Sequence, residues 1–204
     1  HLLAAFTRAR ALPPPVVLTV DHGLRAGSAG DSRQVAVWAK AAGLKAHVLV
    51  WRGAKPKAGV EAAARPARYS LMGDWLAAHK IAMLCVGHTR DDQAETFLLR
   101  LARGSGLDGL AAMRARAPWP VRSSKAQDFA VLRIVRPLLD IGRAELRDYL
   151  TEIAQPWLED PMNEDPAFGR VKIRKARAAL EAAGLPAHRI AAAALHLGRA
   201  RAAL

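Results

Sequence analysis

Four short apolar runs constrain this chain most: VVLTV (16–20), AHVLVW (46–51), IAMLCV (81–86) and VLRIVRPLL (131–139). Continuous apolar runs of this length suit strands buried on both faces. Between them, 32–42, 60–79 and 91–103 read as helices, as do 1–11 and 143–153. Pro13, Pro14 and Pro15 end the first helix, Gly43 stops the second, and Pro66 is expected to kink the third. Strands alternating with helices predict βαβ units, and so an α/β fold with a doubly wound, mostly parallel sheet.

Sheets of this kind bind ligands in the crevice at the C-terminal ends of their strands. The polar loops fall at those ends: DHGLR after the first strand, RGAKPK after the second, GHTRDD after the third. The third is the richest. From Gly87 to Arg103 it carries His88, Asp91, Asp92 and Glu95 together with Arg90, Arg100 and Arg103. Thr89 and Asp92 fit a capping pattern, and acids suit a helix start. Capping and surface ion pairs account for part of this charge. They account less well for Asp92 and Glu95 sharing one helical face, with His88 on the Asp92 side. Two carboxylates at a strand end can hold Mg²⁺ or bind an amine.

The neighbouring pieces are individually weaker. Gly104 fits a helix C-cap, while Arg100 and Arg103 beside the glycine-rich GSGLDG suit phosphate. Asp21 and His22 follow the first strand, where Gly23 lets a ligand approach the backbone, although a plain turn uses the same letters. Arg65 and Arg68, three apart on a helix, ordinarily mark a solvated face.

Net charge is +13, with a pI near 11.0, and arginine supplies most of it. A polyanionic partner follows from that balance, as does a genome rich in Ala and Arg codons. The single cysteine, Cys85, excludes an internal disulfide and a CxxC zinc or iron–sulfur site, and suits a reducing cytoplasm. No apolar stretch is long enough to span a membrane, and the first residues lack a secretory signal. From 155 onward the texture changes to a Pro- and acid-rich linker, then a basic helix (FGRVKIRKARAALEAAGL) and an Ala-rich one. A boundary near Pro156 divides a nucleotide-binding body, 1–155, from a basic helical region, 156–204.

Taken in order, VDHGLRAGSAGDS, GVEAAARPARY, GHTRDDQAETFLLRLARGSGLDGLAAM, RPLLDIGRAELRDYL and WLEDPMNED…GRVKIR resemble the tRNA(Ile)-lysidine synthetase family over residues 16 to 180. The resemblance implies PP-loop ATP pyrophosphatase ligases. They attach lysine to C2 of the wobble cytidine of tRNA(Ile) with a CAU anticodon, through an adenylated cytidine, releasing AMP and pyrophosphate. It implies catalytic roles for His88, Asp92, Glu95 and Arg68, with Asp92 and Glu95 serving lysine and Mg²⁺. It places Asp21, His22, Gly87 and Arg103 beside ATP, and assigns tRNA contacts to Arg100, Asn163, Arg170, Lys172 and Arg174. The partners implied are the CAU tRNA and free L-lysine, with a homodimer allowed and no membrane. The family's SGGxDS, which cradles pyrophosphate on a central strand, is absent from the sequence and is expected just before His1. Further C-terminal tRNA-binding domains occur in larger members. A tRNA thiolase of the same superfamily needs clustered cysteines and is excluded. A non-catalytic tRNA-binding relative is the competing reading.

Overall fold

The structure, a computed structural model, describes residues 1–53, 55–56, 60–121, 132–159 and 169–204. It divides into two bodies: 1–82 with 119–132, and 83–118 with 133–204.

The first body contains α1 (Leu2–Ala9), β1 (Val16–Asp21), α2 (Ser28–Ala41), β2 (Lys45–Val50) and α3 (Val60–Ala78). The β-branched run of β1 pairs in parallel with β2, Val16 opposite Lys45 and Asp21 opposite Val50. α2 is the crossover and packs on both strands. α3 runs through Pro66 and buries Tyr69, Met72 and Leu76, a spacing of one helical face. Trp119 meets Tyr69 edge-on, with ring centroids 5.5 Å apart. Its indole also covers Gly73, where an added Cβ would lie 2.9 Å from Nε1 and 3.2 Å from Cζ2. Gly73→Ala is therefore expected to destabilise the protein. Overpacking costs about 1–3 kcal/mol, and alanine's better helix propensity offsets at most about 1 kcal/mol. The check is a lower urea midpoint at unchanged slope; an unmoved midpoint would mean that the indole slides aside freely.

The second body contains β3 (Met83–Cys85), α4 (Arg90–Leu101), α5 (Leu107–Leu110), β4 (Arg116–Pro118), β5 (Arg133–Val135), α6 (Arg143–Glu152), α7 (Gly169–Lys175), α8 (Arg177–Ala182) and α9 (Ala187–Ala203). β5 is the middle strand, parallel to β3 and antiparallel to β4. Its Ile134 is 1% exposed. The α/β architecture with parallel pairing and helical crossovers is as expected. Among the described residues, however, the strands form two sheets, and the second is mixed. The run 131–139 keeps only three strand residues, because the chain turns at 137–140; residue 131 lies outside the described residues.

The basic C-terminal stretch is two helices broken at Ala176, where one had been expected. α9 packs along α4 and α5, helped by small residues: Ala194 is fully buried, and a Cβ at Gly198 would lie 4.0 Å from Ala111 Cβ. α7 and α9 pack against α4, and residues 169–204 fall in the same body as α4.

Candidate active site

The site is built on the first turn of α4. Thr89 is the N-cap in extended conformation, and its hydroxyl and Asp92 form a reciprocal capping box. Asp92 Oδ2 accepts from Thr89 N–H at 2.8 Å and from Thr89 Oγ1–H at 2.7 Å. Arg90 ties the turn after β5 to this helix start. It donates to the Asp140 carbonyl at 3.0 Å and to Glu145 Oε2 at 2.5 Å. An added Cβ at Gly142 would lie 2.6 Å from Arg90 Nη2 and 2.7 Å from Glu145 Oε2, so a side chain there would push this ion pair aside. Gly142 N–H donates to the same Glu145 oxygen at 2.8 Å.

With the cap satisfied through Oδ2, Asp92 Oδ1 faces Arg143 at 3.4 Å and Arg170 at 3.9 Å. Glu95, one turn on and 5% exposed, is gripped by Arg174: Nε to Oε1 is 2.7 Å and Nη2 to Oε2 is 3.2 Å. Arg143 lies 3.6 Å from the same Oε1. Asp91, also buried, accepts from Arg143 N–H at 2.7 Å and from Arg177 Nη1 at 3.1 Å. Four guanidiniums thus face three carboxylates. Beside them a cavity of about 270 Å³ is walled by Leu98, Ile173, Leu180 and Ile190, with Glu95 and Arg177 among its charged lining.

Burial pushes the Asp92 carboxyl up, but the two Thr89 hydrogen bonds and the Arg143 charge outweigh it and hold the group below its ordinary value of 3.8. The charged form is therefore the one the fold favours. Its stabilising contribution is complete above the ordinary value and is lost as pH falls through the lower folded value. Acid unfolding below about pH 4 is expected to be steeper for the native protein than for Asp92→Asn, as followed by circular dichroism. Parallel curves would remove this linkage. The Glu95 hydrogen bond, with the nearby acids, likewise raises the Arg174 guanidinium above its ordinary value.

Mg²⁺ prefers a near-octahedral set of oxygens. Asp92 spends one oxygen on the cap and Glu95 both on Arg174, and among the described residues no group of three or more His, Cys, Asp or Glu side chains is gathered for a metal. This arrangement does not fit a magnesium ion.

The remaining sequence-derived residues fall in several places. His88 lies in the second body, one residue before the cap of α4, with its Nδ1 3.3 Å from Arg136 Nε. Gly87 is exposed, with open space where a side chain would sit. Arg103 is exposed after α4. Arg100 folds the loop instead of facing outward, donating to the Gly109 carbonyl at 2.7 Å and the Ala112 carbonyl at 3.0 Å. Arg174 points into the acid cluster, paired with Glu95. Arg170 borders the same cluster, while Lys172 is exposed on α7. Asn163 lies outside the described residues. Asp21, His22 and Arg68 belong to the first body. Asp21 shapes its own turn, accepting from Ser28 Oγ at 2.6 Å and Gly23 N–H at 3.0 Å, and the Ser28 bond lowers its pKa. His22 Nδ1 accepts from Leu24 N–H at 3.1 Å. Arg68 is exposed and sits over the Tyr69 ring, 5.7 Å from its centroid.

Sequence reasoning missed Asp91, Arg143 and Arg177 as members of the cluster. Asp91 was visible only as a helix-start acid. Arg143 and Arg177 had no local signal, because their partners lie 52 and 86 residues away.

The sequence profile of a family described as a PP-loop domain matches residues 1–179. A tRNA(Ile)-lysidine synthase of Ruegeria pomeroyi is 44% identical over 188 residues, covering 92% of this chain and 42% of its own length. That of Bradyrhizobium diazoefficiens is 42% identical over 204 residues, covering 100% of this chain and 54% of its own. The chain thus spans about half the length of the curated relatives it matches. Among solved structures, the U34-tRNA thiolase NcsA of Methanococcus maripaludis, with its 4Fe-4S cluster, aligns with a TM-score of 0.70 at 13% identity. The alignment covers 98% of this chain and 66% of that one, and the likeness concerns the fold alone. Among the described residues no helix is long and apolar enough to cross a membrane.

Proposed function

Because the chain belongs to the PP-loop family, we propose that it carries the catalytic part of a tRNA(Ile)-lysidine synthase. In this reading the wobble cytidine O2 of the CAU tRNA attacks the α-phosphate of ATP and pyrophosphate leaves. The side-chain amine of free lysine then attacks C2, and AMP leaves. The observation that carries the reading is the pair of the half-buried Asp92 and the buried Glu95 at the start of α4, within the segment by which the chain resembles that family.

Asp92 and Glu95 receive the lysine ammonium, with Asp92 Oδ1 the less committed oxygen. His88 and Arg68 serve the reacting phosphate, where donors aimed at developing negative charge lower the barrier. Asp21, His22, Gly87 and Arg103 border ATP. No magnesium ligand is assigned among the described side chains. The exposed Lys172 meets tRNA phosphates. The reading places the protein in the cytoplasm, where tRNA, ATP and lysine occur together.

The test is transfer of labelled lysine to the CAU transcript with stoichiometric AMP and pyrophosphate. Tight tRNA binding without ATP turnover would favour the non-catalytic relative instead. Lys172→Ala is expected to weaken tRNA binding uniformly and to lower the slope of log affinity against log salt by about 0.9. An unchanged slope in filter binding at graded salt would take Lys172 off the tRNA surface.

A further inference from the structure

Arg136 follows β5 directly and is 7% exposed. Its Nη1 donates to the Arg114 carbonyl at 2.8 Å, anchoring the guanidinium beside β4. Its Nε lies 3.3 Å from His88 Nδ1. A guanidinium carries only donors, so the ring nitrogen it meets must accept. Nδ1 then bears no proton, and the neutral imidazole keeps its N–H at Nε2.

We propose that Arg136 is a positioning residue: it fixes His88 as the Nε2–H tautomer, so that the imidazole works as a hydrogen-bond donor and not as a base at Nδ1. The link to rate rests on the lysidine-forming reading; the tautomer does not. A reaction that expels pyrophosphate builds negative charge on phosphate oxygens, and a fixed donor serves that charge without reorganising. The anchor is rigid at both ends. Arg136 is held by the Arg114 carbonyl on β4's approach, and His88 sits one residue before the cap of α4.

The test is a long-range proton–nitrogen correlation spectrum of the ¹⁵N-histidine-labelled full chain, with the His88 signal assigned by its loss in His88→Gln. The wild-type protein is expected to show the Nε2–H pattern. Arg136→Met is expected to give mixed tautomers, with kcat down about tenfold to a hundredfold and KM for ATP and lysine within about twofold. Arg136→Lys, which keeps a donor and a charge, is expected to recover part of both. An Nδ1–H pattern in the wild-type protein overturns the proposal, and that spectrum decides even if Arg136→Met does not fold. Unchanged tautomers in a folded Arg136→Met also overturn it. An Nε2–H pattern in a protein that transfers no lysine leaves the tautomer assignment standing and removes the functional reading.

Discussion

Glu95→Gln is expected to lower kcat/KM for lysine transfer by at least about a hundredfold while tRNA affinity stays within about twofold. Glutamine keeps the shape of the side chain and removes its charge. Glu95 is buried and holds Arg174 through both oxygens. An amide presents an N–H₂ group where one of those oxygens accepted, so it cannot satisfy the same fork. The attraction for an incoming ammonium falls at the same time. Because the cation proposed to meet tRNA phosphates, Lys172, is an exposed one away from Glu95, tRNA binding has no reason to follow. Single-turnover lysine transfer beside filter binding makes the comparison. Parallel loss of rate and tRNA affinity would take Glu95 out of the lysine site.

The second large effect is on stability. Arg174→Met is expected to cost about 3–5 kcal/mol, because it leaves a buried carboxylate without its strongest partner. Arg143, 3.6 Å from Glu95, softens the loss without replacing a bidentate pair. In a double-mutant cycle, Arg174→Met and Glu95→Gln are expected to couple by about 2 kcal/mol. Additive effects in urea unfolding would mean that the pair contributes nothing specific. The salt slope of tRNA binding separates this arginine from Lys172. Arg174→Met leaves the slope unchanged, since its guanidinium is already spent on Glu95.

Features set by near neighbours were legible in the sequence. The Thr89–Asp92 cap needs only residues three apart, and it forms as read. The β-branched run of β1 and the helical faces of α3 and α4 are equally local. β4 was missed because three residues, Arg116–Pro118, carry no periodicity; β5 makes them a strand, and β5 lies beyond them in the chain. The long fourth strand was over-read because RPLL continues an apolar run while its backbone turns to meet α4. The site was half legible. Its acids sit together on one helix, but the cations that balance them come from α6, α7 and α8, and no spacing rule reaches that far. Arg100 and Arg174 look like surface cations by composition; one closes a loop on carbonyls and the other closes a buried pair.

That long reach has a consequence for synthesis on the ribosome. Glu95 leaves the exit tunnel 79 residues ahead of Arg174. At about 5–20 residues per second, α4 waits roughly 4–16 s for the arginine that neutralises it. During that interval its acidic face cannot be buried without cost, so α4 stays hydrated until α7 follows. The first body waits as well, because Trp119, which covers Gly73 and Tyr69, is made only after β3, α4 and α5. Neither body can therefore be completed as a consecutive stretch of nascent chain, and both close late.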